Sequence, residues 1–193
     1  MLAGDIATLN AKRKQLVTTT TPEATATPAV QSRLSELERA ELDVAKRFAA
    51  SDRHICEAEV PWLPWVGTIE IKVLRADNRT GNLVIGLRSA QDAVLGKHRH
   101  RGPVSAITVR GRWEYFEYDW VAEPGDYVRE NPGTIHTLHV FENTEILFIA
   151  DGSIEFLNDD DTVNNTMDVW SFVHLYEEYC KTNGIPLNER IFY

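Results

Sequence analysis

Gly96-Lys97-His98-Arg99-His100-Arg101-Gly102-Pro103 is the most informative stretch of this 193-residue chain. Successive side chains on extended backbone point to opposite faces. His98 and His100 therefore share one face of a strand, and Lys97, Arg99 and Arg101 share the other. Two imidazoles one pleat apart can ligate one metal ion without bending the backbone. The cationic face is expected to be a solvated outer surface with local salt bridges. A nucleic-acid stripe is disfavoured because the whole chain is acidic: 20 Lys and Arg against 29 Asp and Glu leave a net charge of −9.

A third ligand must come from elsewhere in the fold. The candidate is His136, in Asn131-Pro132-Gly133-Thr134-Ile135-His136, where a turn aims the histidine at the start of a new strand. Strand-like runs surround these segments at 68–74 (TIEIKVL), 83–87 (LVIGL), 107–109, 113–120, 136–141 and 146–150. Turn residues separate them, and no helical pattern intervenes, so an all-β barrel or sandwich is expected. The β region is expected to end near Leu157, before the acidic turn 158–161.

The flanks have a different character. Residues 1–52 read as an N-terminal extension: a short amphipathic helix over 1–16, a Thr/Pro-rich linker over 18–28, then a helix over 29–50 with Leu34, Leu37, Val44 and Phe48 as its stripe. Residues 53–158 read as the barrel and 159–193 as a C-terminal helix and tail. Thr166 is the expected N-cap of that helix and Gly184 its terminating glycine. Trp170, Val173 and Cys180 on one side, with Phe172, Tyr176 and Tyr179 on another, should pack it onto the barrel. Cys56 and Cys180 are too few for a disulfide framework. No apolar run approaches the ~18 residues of a membrane span, and the N-terminal basic cluster follows the apolar residues, unlike a signal peptide. A cytoplasmic protein is expected.

His98, His100 and Gly111 match the first sequence motif of the cupin family, and Gly125, Gly133 and His136 match the second. The chain therefore resembles that family. Asp92 stands where the first motif has Gly, Val104 and Ser105 where it has Glu, and Val140 where the second has Asn; Pro132 is shifted by one. The resemblance implies a double-stranded β-helix, or jelly-roll barrel. It also implies a three-histidine metal site whose usual carboxylate is either missing or supplied by another strand.

The run from His98 through 112–125 to 132–137, and the ending 170–180, are similar to the 2,4'-dihydroxyacetophenone dioxygenase group. These belong with the cupins related to the metal-binding domain of ChrR-type anti-sigma factors, and the likeness covers about residues 54–184. It implies a non-haem Fe(II) dioxygenase cleaving a C–C bond of an aromatic hydroxyketone or a diketone, with a small-molecule carbonyl substrate and O2 as partners. The products would be an aromatic acid and formate, and the assembly a homodimer. A metal- or ligand-sensing cupin, or an isomerase or hydrolase on another metal, are the alternatives.

The residues suit this chemistry on their own terms. Neutral imidazoles bind Fe, Zn, Mn, Ni or Cu, and three protein ligands leave coordination positions open. An α-hydroxyketone chelates through adjacent oxygens, so a Lewis acid lowers the pKa of its O–H or C–H. Glu117 alternates with Trp113 and Tyr115. If that face points inward, Glu117 is a fourth ligand or base and Tyr115 holds a substrate oxygen. His139 falls on the opposite face from His136, and the His54/Cys56 pair precedes the first strand, so neither is expected to ligate. Trp62, Trp65, Trp113 and Trp120 are expected to be core or interface residues, with one or two at a pocket.

Overall fold

The computed structural model describes residues 34–193, so the expected helix over 1–16 and the linker over 18–28 lie outside the described residues. The chain divides into two compact units, 1–52 and 53–193. In the first, helix α1 spans Glu36–Phe48. Its start is set by a capping box, in which the Ser35 hydroxyl accepts from the Glu38 N–H while the Glu38 carboxylate accepts from the Ser35 N–H. Leu34 therefore stands ahead of the helix, and no α1 residue is buried.

The second unit is the β structure expected. Eleven strands run in order: β1 (Leu63–Val66), β2 (Ile69–Asp77), β3 (Asn82–Ser89), β4 (Ala93–His100), β5 (Val104–Arg110), β6 (Trp113–Tyr115), β7 (Tyr127–Glu130), β8 (Ile135–Val140), β9 (Thr144–Asp151), β10 (Ile154–Leu157) and β11 (Val163–Met167). They form two antiparallel sheets, ordered β1-β2-β3-β9-β5-β7 and β11-β10-β4-β8-β6. Strands consecutive in sequence repeatedly join opposite sheets, as in a jelly roll. The core lies between the layers. Ile71, Val73 and Leu87 come from one sheet, Trp113, Leu138 and Val140 from the other, and all are buried. Each such side chain contributes ~1.5–3 kcal/mol by leaving water.

Helix α2 (Val169–Asn183) follows and buries Val169, Phe172, Val173, Tyr176 and Cys180. Gly184 ends it in the left-handed conformation, φ 65°, where a side chain would be strained.

Four expectations need correction. The β region continues past Leu157, because 158–161 is a tight turn that returns β11 antiparallel to β10. The polar β11 sequence VNNTM lacks the apolar alternation that would reveal a strand. The helix cap is Asp168 in a capping box with Ser171, since Thr166 is still extended in β11. Trp170 is exposed rather than packed. Finally, the run 113–120 is strand only as far as Tyr115, and the chain then turns with Tyr118 N–H donating to Tyr115 O at 3.0 Å.

Candidate metal centre

The site is built where β4 and β8 run side by side. Leu95 pairs with Leu138 and His98 with His136, so three steps along β4 match two along β8. This bulge at Gly96-Lys97 decides the site. Residues three apart on a regular strand point to opposite faces, yet here Leu95 and His98 are both buried inward. The bulge also fixes the His98 ring, whose Nδ1 lies 2.8 Å from Gly96 O. A carbonyl only accepts, so Nδ1 carries the proton and the Nε2 lone pair is free for a metal.

His100 follows one pleat later. His136 is delivered by the Pro132-Gly133 turn. Gly133 adopts φ 83° there and its N–H donates to His100 O at 2.8 Å, tying the turn to the other ligand strand. Tyr115 stacks flat on the His136 ring at 3.9 Å. Each of the three histidines thus offers one nitrogen within 4.8 Å of the others, the only such cluster among the described residues.

Glu130, the last residue of β7, completes the arrangement. It is 4% exposed. Its Oε1 accepts from the Tyr115 hydroxyl at 2.6 Å, and its Oε2 lies 3.2 Å from His100 Nε2 and 3.6 Å from His136 Nε2. Glu130 Oε2 and His136 Nε2 are buried with no hydrogen-bond partner. Unsatisfied buried polar atoms cost about 1–3 kcal/mol each, and a cation held between these atoms would satisfy both. The donor set therefore fits a metal ion.

The electrostatics agree. Burial pushes His100 and His136 down to about 3 and lowers His98 too, so all three imidazoles are neutral at neutral pH, the form that can ligate a metal. Burial pushes Glu130 up to about 7, against the pull of the Tyr115 hydrogen bond. Burial and the adjoining Glu130 raise Tyr115 well above the ordinary phenol range, so it stays a donor.

Two openings reach this centre. Inside the barrel His98 and His100 end an apolar pocket of about 550 Å³, counting its solvent-open part, walled by Trp65, Leu83, Ile85, Leu95, Phe148 and Phe172. On the other side, Glu130 and His136 border a more polar groove along the seam between edge strands β6 and β7, with Tyr118 and Trp120 on its wall.

The other residues singled out in the sequence are placed as follows. Tyr115 points inward, but its hydroxyl is engaged by Glu130. Glu117 does not point inward: the strand ends before it, and its exposed carboxylate accepts from the Thr137 N–H at 2.8 Å. The carboxylate beside the histidines is Glu130, which the sequence reading did not single out. Its signal was its position, immediately ahead of the Pro-Gly turn that delivers His136. His139 lies on the outer face, 3.0 Å from Glu114. Lys97 pairs with Asp161, and Arg99 and Arg101 share Glu155 at 2.7 Å each, so the expected local salt bridges are present although Glu155 itself is buried. Trp113 is core, Trp65 lines the pocket and Trp62 lies against Gly86.

Comparison with solved structures gives the same architecture. An RmlC-like cupin from Ralstonia eutropha JMP134 superimposes with a TM-score of 0.69 at 25% identity, covering 74% of this chain and 95% of the other. A second cupin-like protein from that organism gives 0.65 at 22%, covering 71% and 91%. The acetylacetone dioxygenase of Acinetobacter johnsonii gives 0.60 at 17%, covering 67% and 93%. No curated protein matches the chain. The model of the ChrR cupin-like domain matches residues 50–155, more than half of the sequence and all of the histidine site, so this chain is a member of the ChrR cupin-like domain family.

Proposed function

We propose that this protein is a non-haem Fe(II)-dependent dioxygenase that cleaves the C–C bond beside the carbonyl of an aromatic hydroxyketone or a diketone. The observation that carries the reading is a cluster of neutral histidine nitrogens at the end of an apolar pocket, with a buried carboxylate oxygen unpartnered beside them. The fold is also that of an acetylacetone dioxygenase, which makes a diketone a natural candidate substrate.

His98, His100 and His136 would hold the iron. When bound, the metal supplies Lewis acidity toward the substrate oxygens and a site for O2 chemistry. The chain's own groups do the rest. Glu130, at about 7, is poised to take the proton from the substrate's activated C–H or O–H near neutral pH. Tyr115 orients it through Oε1, leaving Oε2 beside the His100 and His136 nitrogens. The pocket walls exclude water and stack against a flat, apolar substituent.

One observation favours a second reading. Glu130 Oε2 is close enough to two histidines to close the coordination shell itself, and a closed shell on zinc suits a sensor of the anti-sigma type. Oxygen uptake by Fe(II)-loaded protein, with 2,4'-dihydroxyacetophenone and acetylacetone as separate substrates, tests the two. Consumption matched to ketone loss supports the dioxygenase. Tightly held zinc, with no uptake after Fe(II) reconstitution, sinks it.

A further inference from the structure

The stretch Trp113-Glu114-Tyr115-Phe116-Glu117-Tyr118-Asp119-Trp120 sets its Trp and Tyr residues symmetrically about a turn. β6 ends at Tyr115, the Tyr118 N–H closes the turn on Tyr115 O, and the returning chain bridges Ala122 to Trp113. Folding the segment over brings the four rings together. Trp120 lies 5.6 Å from Trp113 and 5.7 Å from Tyr115, both edge-on, and stacks on Tyr118 at 5.6 Å with the planes 14° apart.

One end of this cluster touches the candidate metal centre and the other touches solvent. Tyr115 lies nearly parallel to the His136 ring, 8° apart at 3.9 Å, while Tyr118 is 44% exposed on the groove wall. Each step from His136 through Tyr115 and Trp120 to Tyr118 is therefore at most 5.7 Å between ring centres. Tyr and Trp are the aromatic side chains that give up an electron most readily, and a phenol does so more easily where its proton has an acceptor. Tyr115 has one, because its hydroxyl donates to Glu130 Oε1 at 2.6 Å. Trp113 is a side branch, buried and with its N–H committed to Thr108 Oγ1. On the β10 side the ring beside His98 is Phe156, at 6.0 Å, which has no proton to lose and is far harder to oxidise.

We propose that Tyr115, Trp120 and Tyr118 form a relay that carries oxidising equivalents out of the centre to a small thiol in solvent. Its need rests on the iron reading above, since O2 reduced there without a ketone leaves an oxidant beside the histidine ligands. Tyr115 gives one electron to that oxidant and its phenolic proton to Glu130, becoming a neutral phenoxyl radical. Trp120 returns an electron to Tyr115, the proton coming back from Glu130, and Tyr118 refills Trp120 while releasing its own proton to water. A thiol then donates a hydrogen atom to Tyr118, and two of the resulting thiyl radicals pair as a disulfide.

Peroxide added to the Fe(II)-loaded full chain, without ketone or thiol, tests the relay, with sites of oxidation read by peptide mass spectrometry. In the wild type oxidation falls on Trp120 and Tyr118, spares His98, His100 and His136, and is suppressed by added thiol. Zinc-loaded protein given the same peroxide shows neither product. Trp120→Phe, which keeps an aromatic ring at the position, loses the Tyr118 product and gains oxidation at the histidines. Tyr118→Phe, should Trp120→Phe fail to fold, leaves the damage at Trp120 even with thiol present. Histidines still spared in Trp120→Phe, thiol still clearing Trp120 in Tyr118→Phe, Tyr118 oxidised equally with zinc, or no iron held would each overturn the proposal. A protein that holds iron and shows the relay, yet consumes no O2 with either ketone, has lost the dioxygenase reading alone.

Discussion

The two faces of β4 carry similar polar side chains and opposite physics. Lys97, Arg99 and Arg101 point outward and find carboxylates on β10 or in the turn that follows it. His98 and His100, one residue away in each case, point inward and are held neutral by burial. The outer face meets its charge with paired charge: Glu155, itself buried, is held by both Arg99 and Arg101, while Lys97 meets the exposed Asp161. On the inner face the same absence of water that discharges the imidazoles leaves His136 Nε2 and Glu130 Oε2 unpartnered, and a cation there would supply what water does not. A strand is thus a surface on one side and a candidate ligand set on the other. The difference is made by what packs against each face.

The sharpest way to break this contrast is to remove an inner ligand. His136→Ala should lower metal affinity by about 100-fold or more and abolish turnover while the β circular dichroism signal survives, read by metal analysis and O2 uptake. Full metal retention would mean that the third ligand is not His136. Glu130→Gln keeps the shape and the Tyr115 contact region but removes the base. Turnover should fall about 10²–10⁴-fold with iron still bound. A loss of metal in place of turnover would instead assign Glu130 to the coordination shell and favour the sensor. Glu117→Gln, exposed and outside the pocket, should leave both readings near wild type.

Acid gives a milder test of the inner face in the metal-free protein. His100 and His136 titrate at about 3 when folded against 6.5 ordinarily, so below pH 6.5 the unfolded chain binds protons that the folded chain refuses. Stability must then fall as pH drops from 6.5 toward 3. Glu130, at about 7 against 4.5, works the other way between those values, binding its proton more readily when folded. Two imidazoles, with His98 lowered as well, outweigh one carboxyl, so the net slope is toward loss in acid. Thermal melts of chelated protein from pH 7 to 4 check this, and a melting temperature that rises as pH falls would contradict it. The smallest expected effect is on the outer face. Arg99→Ala leaves Glu155 with Arg101 and should change metal affinity by less than about twofold, because no partner is shared with the site.

Residue order made much of this legible. The alternation of His98 and His100 names their common face, and the Pro132-Gly133 turn marks His136 as the start of a strand. Glu117 misled because alternation was extended two residues beyond the point where β6 turns away. Glu130 was hidden because a lone glutamate at a strand end looks like any solvated carboxylate until a second sheet covers it. β11 was missed for a related reason, since its polar residues carry no apolar period and only pairing with β10 makes them a strand.

What the sequence determined by itself is therefore local: strand alternation, the turns, the helix terminator Gly184 and the histidine pair, each set by backbone geometry over a few residues. Register and closure belong to the tertiary structure. Neither the bulge that turns both Leu95 and His98 inward nor the closing of β6 and β7 across Tyr115 and Glu130 can be read from one strand. Which atoms lose their water depends on segments far apart in the chain, and burial, not residue type, makes a histidine or a glutamate part of a candidate metal site.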